Sequence, residues 1–541
     1  MPIRFAFLLP FAALLLGACS NSLHQPANTS RAKASQDVVV SEPNTTFPIE
    51  KRPTLLAASQ PLTGILVSAY TVPETSDLWE QLRREFQFPK QDNKRIDIQR
   101  NWYIRHPAYL QRVSERSKRY GWHIHQQLKQ RNMPAEIALL PIVESAFDPF
   151  AYSHGRAAGL WQFVPATGKH FGLKQDWWYD GRRDIQDSTA AALDYLQYLN
   201  KRFKGDWLLA LAAYNSGEGT VSKAQRKNRE KGKPVGFWDL DLPKETRAYV
   251  PKLIALKQLV EAPAAYGIKL EAVSNRPYFE VVDTGAQIDL AVAADLAGIE
   301  LDALYRLNPG FNQWATSPDG PHRLLIPVDH ADTFRQAIAD LPPEKRIQWV
   351  RHKVKKGETL SHISRHYHTT VAALKTANDL NNSSIRVGKY LMVPVSSQGQ
   401  DNYRLSARQR LKRKQNSTRN GHKTQHRVSN GDTFWDLSKQ YKVSVRKLAA
   451  WNGMAPGDPL RVGQKLVVWV NQPTSATLHP GSQARPIHYT VRKGDSLARI
   501  SSRFKVTVTD LRKWNALRKG RYLQPGQRLK LYVDVTRQTG T

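Results

Sequence analysis

Cysteine is nearly absent. Among 541 residues there is one, Cys19. No intramolecular disulfide can form, and a metal site built on two cysteines is excluded. Long apolar runs are also lacking. One exists, close to residue 1, so a polytopic membrane protein is excluded. Acidic side chains are scarce beside basic ones: 46 Asp and Glu against 80 Lys and Arg, a formal net charge of +34. That excess favours a polyanionic partner, whether nucleic acid, an anionic membrane surface or an acidic polymer such as cell wall. What is present suffices for folding. Hydrophobic residues make up 40%, which rules out global disorder, and the length suggests about three to five domains.

The single apolar run lies in residues 1–19. Arg4 supplies a positive start, and Phe5 to Leu16 is a stretch of 12 residues interrupted by Pro10. A span needs about 20 residues, so this run reads as a signal peptide. The phrase Leu16-Gly17-Ala18-Cys19 resembles a bacterial lipoprotein signal. The resemblance implies lipidation of Cys19 and a permanent anchor; an ordinary secretory signal is the alternative. By the same resemblance, Ser20 after the cysteine implies sorting to the outer membrane of a Gram-negative cell, facing the periplasm. Residues 20–76 are rich in Ser, Thr, Pro, Ala and Asn and read as a flexible tether.

The C-terminal half repeats itself. Three segments, 348–395, 425–470 and 486–533, align on shared offsets. Each opens with alternating residues and a glycine (HKVKKGETL, HRVSNGDTF, HYTVRKGDSL) and reaches Leu360, Phe434 or Leu497. Three and seven residues on stand Ile363 and Tyr367, Leu437 and Tyr441, Ile500 and Phe504, one face of a helix. Thr359, Thr433 and Ser496 precede that helix as N-caps, and Thr370, Ser444 and Thr507 cap a second. Eighteen residues from the reference position an asparagine recurs: Asn378, Asn452, Asn515. A glycine and an apolar strand close each copy. The pattern predicts a βααβ unit of about 45 residues. It resembles the LysM module, which implies binding to N-acetylglucosamine-containing glycans such as peptidoglycan; a purely structural spacer is the alternative. A degenerate LysM-like copy spans 277–330, with the same offsets from Leu290 to Asn308 but without the Gly-acid-Thr turn. Residues 396–424 are strongly basic and read as a solvated linker, or as an electrostatic attachment to anionic wall or lipid.

Residues 77–265 differ: rich in Trp and Tyr, and helical in pattern. The apolar run Ile137–Val143 ends in Glu144. A carboxyl emerging from an apolar helix end is poorly solvated, which raises its pKa and suits a general acid at neutral pH. Alone, the feature fits equally a helix-terminal Glu in solvent. Downstream lie GLWQFVPATG (159–168), AAYNSGEG (212–219) and ETRAYVPK (245–252). Aromatic faces with amide side chains are the usual chemistry of sugar sites.

In order and spacing these phrases resemble family 1 lytic transglycosylases. Glu144-Ser145 matches the family's Glu-Ser. Gly159-Leu160-Trp161-Gln162 matches its Gly-Leu-Met-Gln, with Trp in place of Met. Ala213-Tyr214-Asn215-Ser216-Gly217 and Tyr249-Val250 match its later motifs, and Ser153 fits as well. The resemblance implies a multidomain chain: a mainly α, goose-type lysozyme-like catalytic domain followed by small α+β LysM modules on linkers. It implies Glu144 as the catalyst, with Ser145, Ser153, Gln162, Tyr214, Asn215 and Tyr249 binding substrate. The expected reaction is non-hydrolytic cleavage of the β-1,4 bond between N-acetylmuramic acid and N-acetylglucosamine, giving 1,6-anhydromuramyl ends. A hydrolytic muramidase and a non-catalytic wall-binding lipoprotein are the alternatives. Asp148, Asp180 and Asp184 are nearby acids that read as turn or helix-start residues. No metal-ligand cluster or phosphate loop appears, so no cofactor or metal is expected, and nucleic acid is not expected as a partner.

Overall fold

The computed structural model describes residues 75–470 and, in the last repeat, 484–534 apart from 493, 505, 507, 516 and 518–522. Cys19, the signal sequence and all but the last residues of the expected tether lie outside these. Among the described residues no helix is long and apolar enough to cross a membrane.

Residues 78–266 form a helical block. Side-chain caps set its starts: Asp77 accepts from the Trp79 amide, Asn93 from Arg95, Asp184 from Asp187, and Asp206 from Leu208 and Leu209. These satisfy amides that a helix start leaves unpaired. The centre is the helix Trp207–Ser216, with Leu209 to Ala213 all buried. A helix apolar on every side belongs inside a fold. It packs against Ile185–Arg202, Glu218–Arg229 and Lys244–Glu261, and the last also covers Lys94–Ile104 and Leu140–Ser145.

Four two-stranded antiparallel sheets follow: Phe279–Asp283 with Arg323–Pro327, Gln348–Lys353 with Tyr390–Val395, His422–Arg427 with Lys465–Val470, and Ala484–Thr490 with Arg528–Asp534. Two short helices lie between the strands of each pair. Thr359, Thr370, Thr433, Ser444 and Ser496 accept amides three residues on, as helix caps do; Thr507 lies outside the described residues. The recurrent asparagine has a structural task. Asn452 Nδ2 donates to Leu448 O (2.9 Å) and Val467 O (2.8 Å), while its Oδ1 accepts from Val467 N (2.7 Å). It ties the second helix to the returning strand. Asn378 and Asn515 make the same three bonds, and so does Asn308 in the degenerate copy. There Asp289 replaces the Thr cap, accepting from Ala291 N at 2.8 Å.

Two features were not visible in the sequence pattern. The degenerate module continues past 330 into a helix, Val328–Asp340, whose Ala331, Phe334 and Ile338 pack on its first helix and both strands. The basic 396–424 stretch is no simple solvated linker: it contains the helix Ala407–Asn416. Ahead of it, buried Tyr403 donates to both carboxylate oxygens of Asp289 (2.8 and 2.9 Å).

The degenerate module is fused to the helical block. Trp178 and Tyr179 share one core with Phe311 and Trp314. Arg323 reaches Asp184 (3.2 Å) and Asp187 (2.8 Å), and Asp180 N donates to Gly310 O (2.8 Å).

Candidate active site

Glu144 stands at the end of a short, tightly held helix. A 3₁₀ turn, Ala135–Leu139, runs into Leu140–Ser145, and Ile137, Leu139, Leu140 and Ile142 are buried. The helix stops abruptly. Ala146 (φ +51°) and Phe147 (φ +54°) are both left-handed, and neither is glycine. Each such residue costs about 1–2 kcal/mol. Burial of Phe147 in the core and bonds from Ala146 N to Ile142 O and Phe147 N to Pro141 O (3.2 Å each) hold the turn. The strain places the Glu144 carboxyl on the last helical turn, facing the tyrosines of later elements.

Tyr249, on the helix Lys244–Glu261, is buried and donates its hydroxyl to Glu144 Oε1. Glu144 as a whole residue is half-buried. Burial pushes its pKa up to about 7; the Tyr249 bond opposes the rise, Glu245 adds to it and Lys252 reduces it. The phenols of Tyr249 and Tyr214 are held well above their ordinary value, by burial first and then by the charge of Glu144.

A second layer fixes the first. Ser145 Oγ donates to Leu160 O (3.0 Å), and Tyr214 Oη donates to Trp161 O (2.9 Å). The turn carrying Leu160 and Trp161 is therefore tied to the Glu144 helix from one side and to the central helix from the other. Gly159 permits this turn. Its φ is +83°, and a Cβ there would lie 2.0 Å from the Arg182 carbonyl oxygen, so no other residue fits. Gln162 (φ +48°) folds its amide back onto Gly159 O (2.8 Å). Trp161 is fully buried and donates Nε1 to Thr189 Oγ1 (3.0 Å).

Ser145, Tyr214 and Tyr249 are thus gathered around Glu144. Ser153 and Asn215 engage their own surroundings: Ser153 Oγ accepts from Gly155 N (3.2 Å) and Ala157 N (3.0 Å), and Asn215 Oδ1 accepts from Thr246 Oγ1 (2.8 Å). Tyr109 is an addition. Its hydroxyl donates to Ile142 O (2.8 Å), bracing the Glu144 helix from the helix Pro107–Ser117. Nothing local in the sequence signals that reach. The nearby aspartates are structural. Asp148 accepts from Phe150 N, Asp180 pairs with Arg182 and Arg183, and Asp184 caps a helix. Among the described residues no group of three or more His, Cys, Asp or Glu is placed to hold a metal.

The fold defines a class: a helical, lysozyme-like domain followed by LysM-type modules. Residues 122–235 match the Transglycosylase SLT domain, 278–342 the LysM-like domain of lytic transglycosylase MltD, and 352–394, 426–469 and 489–531 the LysM domain. The chain is 35% identical over 463 residues to membrane-bound lytic murein transglycosylase D of Escherichia coli (strain K12), covering 86% of this chain and 87% of that one. Autolysin of Enterococcus faecalis is 32% identical over 197 residues, 35% of this chain and 25% of that one. A solved 70 kDa soluble lytic transglycosylase from Escherichia coli is 19% identical, covering 31% of this chain and 30% of that one, with a TM-score of 0.23. The chain belongs to the membrane-bound lytic murein transglycosylase D family. It is a peptidoglycan lytic transglycosylase, a lyase with LysM modules.

Proposed function

We propose that Glu144 performs both proton transfers of a non-hydrolytic cleavage. An ordinary carboxyl of pKa 4.5 is protonated only about 0.3% of the time at pH 7, whereas one near 7 is protonated about half the time. The protonated form gives its proton to the oxygen of the β-1,4 bond between N-acetylmuramic acid and N-acetylglucosamine. That bond breaks, and positive charge develops at the muramyl C1, stabilised by the substrate's own N-acetyl group. Glu144, now a carboxylate, takes the proton of the C6 hydroxyl as that oxygen bonds to C1. The product is a 1,6-anhydromuramyl end, and no water is consumed. An intramolecular nucleophile has a high effective concentration, so one carboxyl suffices where ordinary glycosidases need two.

The observation behind this reading is the Glu144–Tyr249 contact with the carboxyl pushed up to about 7. Tyr249 aims the carboxyl. Ser145 and Tyr214 hold the Leu160–Trp161 turn behind it, and Ser153, Gln162 and Asn215 bind the sugars. The three LysM repeats bind peptidoglycan and raise the local enzyme concentration by avidity. Cys19 is the lipid anchor, placing the enzyme on the periplasmic face of the outer membrane. The test is digestion of purified sacculi with the chain and with Glu144→Gln. Anhydro ends from the chain and none from the variant are expected. Reducing ends, one water heavier, overturn the non-hydrolytic step; equal clearance by the variant overturns Glu144.

A further inference from the structure

The loop 148–158 lies between the Glu144 helix and the Gly159–Gln162 turn, and its outward grip comes from the C-terminal half of the chain. Three contacts converge on it. Asp458 forms an ion pair with Arg156 Nε (2.7 Å) and accepts the Tyr152 hydroxyl at 3.1 Å. The Arg410 guanidinium lies over the Phe150 ring, 4.6 Å from its centroid. Asp458 belongs to the second LysM repeat, in the stretch between its second helix and its closing strand. Arg410 belongs to the helix Ala407–Asn416, which is itself seated on that repeat. Gln415 Nε2 donates to Asn452 Oδ1 (2.9 Å), and Leu411 sits against Gly453.

The gripped loop needs holding. Arg156 has φ +68° without being glycine, and residues 154–156 are exposed. Inside, the loop connects directly to the site. Ala158 bridges Tyr152 and Phe163, Gly159 N donates to Ala151 O (3.1 Å), and Arg182 Nη1 donates to Arg156 O (2.8 Å). From Gly159 the chain enters Leu160 and Trp161, whose carbonyls take the Ser145 and Tyr214 hydroxyls beside Glu144. The acid is particular to this repeat. The matching stretch reads Asn381-Asn382-Ser383-Ser384 in the first copy and Leu517-Arg518-Lys519-Gly520-Arg521 in the third.

We propose that the second LysM repeat clasps the loop beside the active centre, and that Asp458 is a positioning residue for the transglycosylase reaction. The clasp rests on the reading of Glu144 as catalyst. It couples a wall-binding module to the chemistry: a strained loop is kept in the conformation that orders the turn behind Glu144, and a module pulled away leaves the loop slack.

The test uses the full chain on a soluble glycan fragment too short to bridge module and active site, with anhydro ends as readout. Asp458→Asn is expected to lower kcat about fivefold, the upper range for one part-exposed ion pair, with KM changed less than twofold and sacculus binding intact. Amide exchange at residues 155 and 157 speeds up. Arg156→Asp alone is equally slow, and combining it with Asp458→Arg restores kcat to within about twofold of the parent. An unchanged kcat in Asp458→Asn overturns the clasp, and so does a double variant no faster than the singles. Loss of sacculus binding alongside kcat overturns it too, since the repeat would then have lost its fold. Glu144→Gln separates the two readings. If it is inactive while Asp458→Asn matches the parent, only the clasp fails; if it stays active, the catalytic reading fails whatever Asp458 does.

Discussion

Replacing Tyr249 by Phe tests the electrostatics of the Glu144 carboxyl with almost no change of shape. The hydroxyl donates to Glu144 and favours its charged form, while burial favours the neutral form and dominates, giving a pKa of about 7. Removing the donor leaves burial opposed only by Lys252, with Glu245 still adding to the rise. A hydrogen bond to a charged group contributes about 1.5–3 kcal/mol. At 1.36 kcal/mol per pKa unit, the carboxyl should rise by about one to two units. Tyr249 is 3% exposed, so solvent screens little of this. The sign follows from the proposed first step, which needs the protonated acid. In the parent chain, kcat/KM on a soluble glycan fragment declines as pH rises through about 7. In Tyr249→Phe the same decline moves to about pH 8–9, while the plateau falls because the carboxyl is less well aimed. The assay is anhydro-end formation between pH 5 and 10, each profile normalised to its own plateau. A limb that stays put or moves to lower pH refutes the assignment of the titrating group, the hydrogen bond or both.

Further outcomes follow from the same geometry. The Glu144 carboxyl rises from 4.5 unfolded to about 7 folded, so the folded chain holds a proton that the unfolded chain has released between those values. Its contribution to stability therefore worsens as pH climbs through that window, reaching a cost of about 3 kcal/mol above it. Glu144→Gln should show slower hydrogen exchange than the parent in the helix Lys244–Glu261 at pH 8, and no difference at pH 4. Gly159→Ala forces a Cβ to 2.0 Å from a carbonyl oxygen; it should abolish activity and cost more than about 3 kcal/mol by thermal denaturation, whereas Gly172→Ala, with open space around its Cβ position, should lose less than about 2 kcal/mol. Asn452→Ala strands a buried strand amide and carbonyl and should destabilise its repeat by about 2–4 kcal/mol. Asn515→Ala, at a less buried clamp, should cost about half as much, the ranking to be read by hydrogen exchange in each repeat.

The repeats were legible because their constraints are local. A cap, a helical face, an asparagine and a closing strand all fall within 45 residues, and each reports itself through residue type. The site was legible in part. Glu144 ends an apolar run, a pattern that sequence carries, but its partner Tyr249 lies 105 residues away, and only the resemblance to a family joined the two. The turn that aims the carboxyl left no trace. Glycine marks most left-handed positions, and here Ala146 and Phe147 adopt them because core packing of Phe147 outweighs the strain. The basic stretch misled for a related reason. Periodicity finds a helix by its apolar face, and Ala407–Asn416 has almost none: its seat is made by Arg410 on an aromatic ring, Gln409 inside the fold and Leu411 against a glycine. Long cationic side chains bury their stems and still count as charged in a sequence. What hydropathy hides is thus the part of this molecule that joins its modules, since a contact between two folded units is built from side chains that each unit alone would leave in water.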